Sequence, residues 1–129
     1  MSVRFDEFAF RAFVKELFQA KNTGVDGQLH AAVGLAGEAA EILDQMKKLW
    51  VYGKLPDRAE VLEEMGDVFH YFTMLMIVMG TDLNEVTENN TTKLNKRYPD
   101  GFTKEAAIAR ADKAPKAFAD FDHECIPGN

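Results

Sequence analysis

Six acidic residues fall on two stretches with helical periodicity: Glu38 and Glu41 on the first, and Glu60, Glu63, Glu64 and Asp67 on the second. Residues three apart on a helix are surface neighbours about 60° apart, so Glu38 pairs with Glu41 and Glu64 with Asp67. Glu38 sits just outside the apolar stripe of Leu35, Ala39 and Ile42, and Glu64 just outside that of Val61, Val68 and Leu75. Both pairs should therefore flank the seam between the two helices. If the short YGKLPD connection turns the chain back antiparallel, four carboxylates converge across a groove. Like charges so placed repel and raise one another's pKa unless a cation neutralises them. A hard, oxygen-preferring ion suits them, and Mg²⁺, which keeps waters and substrate phosphates beside one or two carboxylates, fits better than Ca²⁺, with Mn²⁺ as a substitute. Gly34 and Gly37, on the Glu41 side, are expected to leave space over the acids. The same spacing also describes a solvated acidic face, and spacing alone leaves both readings open. A ferritin-like di-iron centre would need two Glu-x-x-His elements. Asp67-x-x-His70 is the nearest approach, and His70 should point further from the seam than Asp67.

The elements that must carry these groups read as helices throughout. A first amphipathic helix is expected over about 5–18, with Phe8, Ala12, Lys15 and Phe18 on one face and Phe5 and Phe13 nearby. The stretch KNTGVDG ends it. A second helix over about 28–51 carries Ala31, Ala32, Leu35, Ala39, Ile42, Leu43, Met46, Leu49 and Trp50 on a broad stripe. Asp57 can cap a third over about 58–79, with Val61, Met65, Val68, Phe69, Phe72, Leu75, Met76 and Met79 inside. Its second half is apolar nearly all round yet shorter than a membrane span, which points to a contact with a second protein surface. Gly80 stops it, and Asp82 can cap a fourth helix running to about 96. Pro99, Asp100 and Gly101 make a turn, Thr103 caps a short helix over 104–112, and an irregular tail follows over 114–129. The fold expected is an all-α bundle of four to five helices, one domain over 1–129 with its core at about 28–102.

The fourth helix offers the opposite charge. Asn90, Lys93 and Arg97 share one face and could hold phosphate oxygens, Arg through a planar fork and Lys as a point charge. Lys48, one face-repeat beyond Glu41, could reach the same phosphate, although lysines near helix ends also complement the macrodipole, the reading favoured for Lys96. His30 could touch a ligand or simply lie at the surface, and Trp50, on the apolar stripe, is expected in the core rather than stacked on a base. The whole chain has 129 residues with 15 Lys and Arg against 21 Asp and Glu, a net charge of −6. That balance disfavours a nucleic-acid polymer, which is gripped through many basic contacts, but not a small anionic ligand whose phosphates are held through a cation. One cysteine, Cys125, cannot pair within the chain, and the amino terminus lacks the order of a signal peptide, so a cytoplasmic setting is expected. No Gly-rich phosphate loop, GxSxG elbow or zinc spacing is found.

Three segments in order, GLAGEAAEILDQMKK, VLEEMGDVFHYFTMLMIVMGTDLNEV and NTTKLNKRYPDGF, resemble the MazG-like all-α nucleotide pyrophosphohydrolases. The similarity runs over about 30–102. It implies Mg²⁺-dependent cleavage of a nucleoside triphosphate to monophosphate and pyrophosphate, in a homodimer or homotetramer of shared helical bundles. By the same resemblance Glu38, Glu41, Glu64 and Asp67 would be metal ligands, and Asn90, Lys93 and Arg97 would lie on the phosphate side; spacing does not decide which carboxylate is the base, and Glu38 and Glu41 are preferred only for the space that Gly34 and Gly37 open beside them. Ala40 stands where many relatives have Gly. The alternatives are a narrower relative acting on dUTP, dCTP or phosphoribosyl-ATP, and a non-catalytic helical interaction module with a solvated acidic face.

Overall fold

The computed structural model describes residues 4–18 and 24–113. The expectations for part of the KNTGVDG break, for the tail over 114–129 and for Cys125 lie outside these residues. Within them the chain forms five helices and no strand: α1 (Glu7–Phe18), α2 (Gly24–Tyr52), α3 (Arg58–Met79), α4 (Leu83–Arg97) and α5 (Lys104–Ala109). Two compact units divide it, the first ending at Leu83 and the second starting at Asn84.

In the first unit α3 is the central element, packing on α2 along its length and on α1 over its second half. Its limits are set by local chemistry. Asp57, in extended backbone, accepts a hydrogen bond from the Ala59 amide at 2.7 Å, satisfying one of the donors a helix start leaves free. At the other end Gly80 takes φ +67°, a left-handed cap that glycine adopts without a Cβ clash, and the Thr81 amide closes back on the Met76 carbonyl at 3.0 Å. Both limits agree with the sequence expectation.

The core centres on Val14, Ala31 and Met74, with Phe10, Phe18, Tyr71, Leu75, Ile77 and Val78 packed around them. Here α1 departs from expectation. Its buried line is Phe10, Val14 and Phe18, whereas Ala12 and Lys15 are exposed and Phe8 is 86% exposed. The reason is α3: Phe10 stacks on Phe69 at 5.2 Å and Phe5 meets the same ring edge-on at 5.7 Å, which turns the helix by about a quarter-turn from the face that Phe8 would define. The Glu7 carboxylate fixes that orientation by accepting the Leu83 amide at 3.2 Å.

α2 begins at Gly24, four residues before the expected start, because Gly27 and Ala31 are small enough to be buried and tertiary packing outweighs the poor helix propensity of Gly. Towards its far end the stripe is only partly covered. Trp50 is 87% exposed, not in the core, and Leu43, Met46 and Leu49 are exposed with it, so the pairing of α2 with α3 leaves this part of the stripe uncovered. In the second half of α3, where a contact with a second protein surface is expected, Thr73, Met74 and Met76 are buried, Met74 together with Val14 of α1 and Ala31 of α2, while Met79 is exposed.

The second unit holds α4, the Pro99–Gly101 turn and α5. Gly101 (φ +92°) donates its amide to the Tyr98 carbonyl at 3.2 Å, and Thr103 caps α5 by accepting from the Ala106 amide at 3.0 Å. α5 ends at Ala109, three residues short of the expected 112, because Arg110 adopts the left-handed conformation (φ 49°) and returns its amide to Ala106.

Candidate acidic site and its cavity

The α2–α3 hairpin sets the register of the site. Gln45 donates to Glu60 at 2.9 Å near the connecting loop, and Tyr71 packs against Gly34 near the other end, so equal steps along α2 and back along α3 stay in contact. In this antiparallel register Glu38 stands level with Asp67, and Glu41 with Glu64.

Carboxylate oxygens of Glu38, Glu64 and Asp67 lie within 4.8 Å of one another. Glu38 and Glu64 are half-buried and Asp67 is exposed. No Lys or Arg among the described residues forms an ion pair with any of the three. The electrostatic consequence falls on Glu64, whose pKa is raised above its ordinary value of 4.5, first by partial burial and then by the charges of Glu38, Glu41, Asp67 and Glu63. Three oxygens of hard carboxylates, gathered without a cationic side chain, form a donor set that fits a divalent cation.

The expected four-acid convergence is thus a three-acid one. Glu41, although level with Glu64, is exposed and stands outside the trio. It remains close enough to act on Glu64 through space.

Beside the trio lies a cavity of about 440 Å³ lined by Glu38 and Asp67 on one side and by Phe13, Leu17, His70 and Tyr71 on the other. Sequence spacing turned His70 away from the seam. The structure makes it half-buried in this cavity, because α1 builds a second wall beyond the α2–α3 groove and Phe13 and Leu17 reach that side. The sequence places Phe13 only near the amphipathic face of α1, and its helical spacing does not single out Leu17. His30, at the surface, has its ring 5.1 Å from Phe18 and 6.1 Å from Tyr71.

The two glycines differ. A Cβ on Gly34 would stand 2.2 Å from the Tyr71 ring, so this glycine makes room for Tyr71 and not for the acids. A Cβ on Gly37 would meet nothing within 4 Å, so the open space expected over the acids exists there.

The remaining cations are placed as follows. Lys48 pairs with Asp44 on its own helix at 2.8 Å, and Lys47 with the same carboxylate at 2.6 Å, which holds Asp44 down at a pKa of about 2. Lys48 is therefore engaged along α2. Asn90 and Lys93 are exposed on α4. Arg97 is half-buried and pairs with Asp112 through two hydrogen bonds, Nε to Oδ1 at 2.5 Å and Nη2 to Oδ2 at 2.6 Å.

Among the described residues no helix is long and apolar enough to cross a membrane. The family model for the MazG nucleotide pyrophosphohydrolase domain matches residues 27–102. The Gene 37 protein of Mycobacterium phage L5 is 32% identical over 81 residues, which cover 60% of this chain and 71% of that protein. No solved structure gives a significant match. The matched span takes in α2 from residue 27 onward, all of α3 with the carboxylate trio, and all of α4, and on that match the chain belongs to the MazG nucleotide pyrophosphohydrolase domain family.

Proposed function

We propose that this protein hydrolyses nucleoside or deoxynucleoside triphosphates between the α and β phosphates, releasing a monophosphate and pyrophosphate. The observation that carries the reading is the trio of Glu38, Glu64 and Asp67, three carboxylates within 4.8 Å of one another with no cationic partner, inside the family-matched span. Those three residues would hold Mg²⁺, with Mn²⁺ as a substitute. A divalent cation bound there supplies charge neutralisation for the polyphosphate and polarises the phosphoryl group under attack.

The other tasks fall to the chain's own groups. Glu41, exposed and outside the trio, is the carboxylate placed to take a proton from the attacking water, while Glu38 serves as ligand. Phe13, Leu17, His70 and Tyr71 give the nucleoside an apolar wall next to the acids and keep bulk water from that side of the reacting phosphate. Lys93 and Asn90 on α4 supply donors to phosphate oxygens. The exposed apolar side chains at the far end of α2, Leu43, Leu49 and Trp50 among them, support a homodimer or homotetramer in which a second copy covers them. The acidic balance supports a small nucleotide as the partner and not a nucleic-acid polymer.

The test is a panel of ribo- and deoxyribonucleoside triphosphates, with dUTP, dCTP and phosphoribosyl-ATP included, incubated with the protein and Mg²⁺ and resolved by product. Monophosphate with pyrophosphate is expected, whereas diphosphate with orthophosphate would overturn the choice of bond. Replacing Asp67 or Glu38 by Ala should lower turnover by more than the roughly 100-fold typical of losing an outer-shell partner, with helical circular dichroism retained. Full activity in both variants, or a wild-type protein that binds neither Mg²⁺ nor Mn²⁺ by calorimetry with nucleotide present, would leave only the interaction module.

A further inference from the structure

Arg97 is the residue whose surroundings differ most from what its position on α4 suggests. Shared with Asn90 and Lys93, its helix face reads as an anion-holding surface. Yet the Nε–Nη2 edge of its guanidinium is filled by one carboxylate, and that carboxylate is nearly covered in the pair: the Asp112 side chain is 1% exposed and the Arg97 side chain 18%. The guanidinium also lies 5.8 Å from the Tyr98 ring centre, and Tyr98 in turn packs on Phe102 at 5.4 Å. Between Arg97 and Asp112 the chain reverses at the Pro99–Gly101 turn, forms α5 and breaks out of it at the left-handed Arg110. A geometry that needs three consecutive local features to deliver one carboxylate to one guanidinium is a built contact.

The sequence range of this contact is informative. Arg97 lies inside the family-matched residues 27–102, and Asp112 lies outside them. We infer that in this chain Arg97 is not a phosphate ligand but a positioning residue, a clasp that closes on Asp112 and fastens the α5 segment to the end of α4, leaving Lys93 as the cation of the Asn90–Lys93–Arg97 face available to an anion. Opening the clasp to admit a phosphate would give up both hydrogen bonds between the guanidinium and the Asp112 carboxylate, and charge-assisted, two-point contacts of this kind are among the stronger hydrogen bonds a side chain makes. Lys93, by contrast, is exposed.

The experiment is a charge-reversal cycle read in two ways. Arg97→Asp and Asp112→Arg should each lower the melting temperature, and the double variant should recover most of the loss. Stability that falls additively in the double variant would overturn the clasp. The second reading separates clasp from ligand. Asp112→Asn frees the fork: if Arg97 were a phosphate ligand, the KM for nucleotide should fall and inorganic tripolyphosphate should protect the variant more than the wild type against melting. With a clasp, KM holds within about twofold, protection by tripolyphosphate is unchanged, and only Lys93→Ala weakens it. Arg97→Lys, which keeps the charge but loses the fork, supplies a milder variant should the reversals fail to fold; it should lower the melting temperature with KM unchanged. The inference rests on the proposed function only for its KM arm. The melting cycle and tripolyphosphate protection are read without turnover, so an inactive protein would refute the hydrolase reading and still decide the clasp.

Discussion

Two places in this molecule concentrate charge, and they do so in opposite ways. In the α2–α3 hairpin, Glu38, Glu64 and Asp67 gather like charges with no cation among their side-chain partners. In the second unit, Arg97 and Asp112 gather opposite charges and close on one another. The first arrangement costs stability in the absence of a bound ion, and the second contributes to it. A protein domain keeps an arrangement of the first kind where something outside the chain completes it, so incompleteness marks the candidate site more clearly than charge density does. Four acids on two helices are legible as a spacing, but only the contrast with a completed pair in the same chain gives that spacing direction.

The comparison would break most visibly at Glu64. Glu64→Gln should reduce turnover more than the roughly 100-fold of an outer-shell loss while raising the melting temperature of the metal-free protein, because a repelling charge is gone. The pH dependence carries the same contrast. Glu64 titrates above its ordinary 4.5, so the folded metal-free chain binds more protons there than the unfolded one, and stability rises as pH falls through that raised range. Asp112 is held down to about 2 by its hydrogen bonds from Arg97, so its contribution is present above its ordinary 3.8 and is lost as pH falls towards 2. Thermal melts of Glu64→Gln and Asp112→Asn against pH should therefore diverge from wild type in opposite directions, and parallel curves would remove the distinction between the two regions.

Next in size are the glycines beside the acids. Gly34→Ala should destabilise by about 1–3 kcal/mol, since the added Cβ must displace a packed aromatic ring, and it should disturb the cavity through Tyr71. Gly37→Ala, one turn away and open, should stabilise by about 0.5–1 kcal/mol in denaturant titration by restricting the unfolded chain. Two substitutions of the same chemistry with opposite signs sharpen the map of which space belongs to the fold and which to a ligand. The smallest effect is expected at Lys48. Its pairing with Asp44 is exposed and local to α2, so Lys48→Ala should leave both melting temperature and KM close to wild type. A large rise in KM would restore Lys48 to the phosphate side.

What could be read from the sequence follows the range of the forces involved. The limits of α3 were legible because Asp57 and Gly80 act within one turn of themselves. The pairing of Glu38 with Asp67 was legible because a short connection leaves an antiparallel hairpin few alternatives. The buried face of α1 was not, because Phe8, Phe10 and Phe13 are equally apolar and only the position of Phe69 on another helix chooses among them. The cavity wall at His70 and the role of Gly34 were not legible for a related reason: wheel geometry describes two helices, whereas α1 and the Tyr71 ring add walls that a wheel does not contain. Arg97 was read as free because its partner arrives only after a turn, a helix and a left-handed residue. Trp50 shows the converse, an apolar stripe continuing into a part that the pairing of α2 with α3 leaves uncovered.

The connection between α2 and α3 spans only residues 53–57, and it bears on how the chain folds as well as on where its acids lie. Closing so short a loop costs little entropy, and contacts between neighbouring helices in sequence form early relative to those that join distant segments. Closing this hairpin is the step that draws the carboxylates of α2 and α3 together. Repulsion within the trio then acts on the rate of folding, and ionic strength or a divalent cation in the medium sets how fast the hairpin closes as much as how firmly it stays closed.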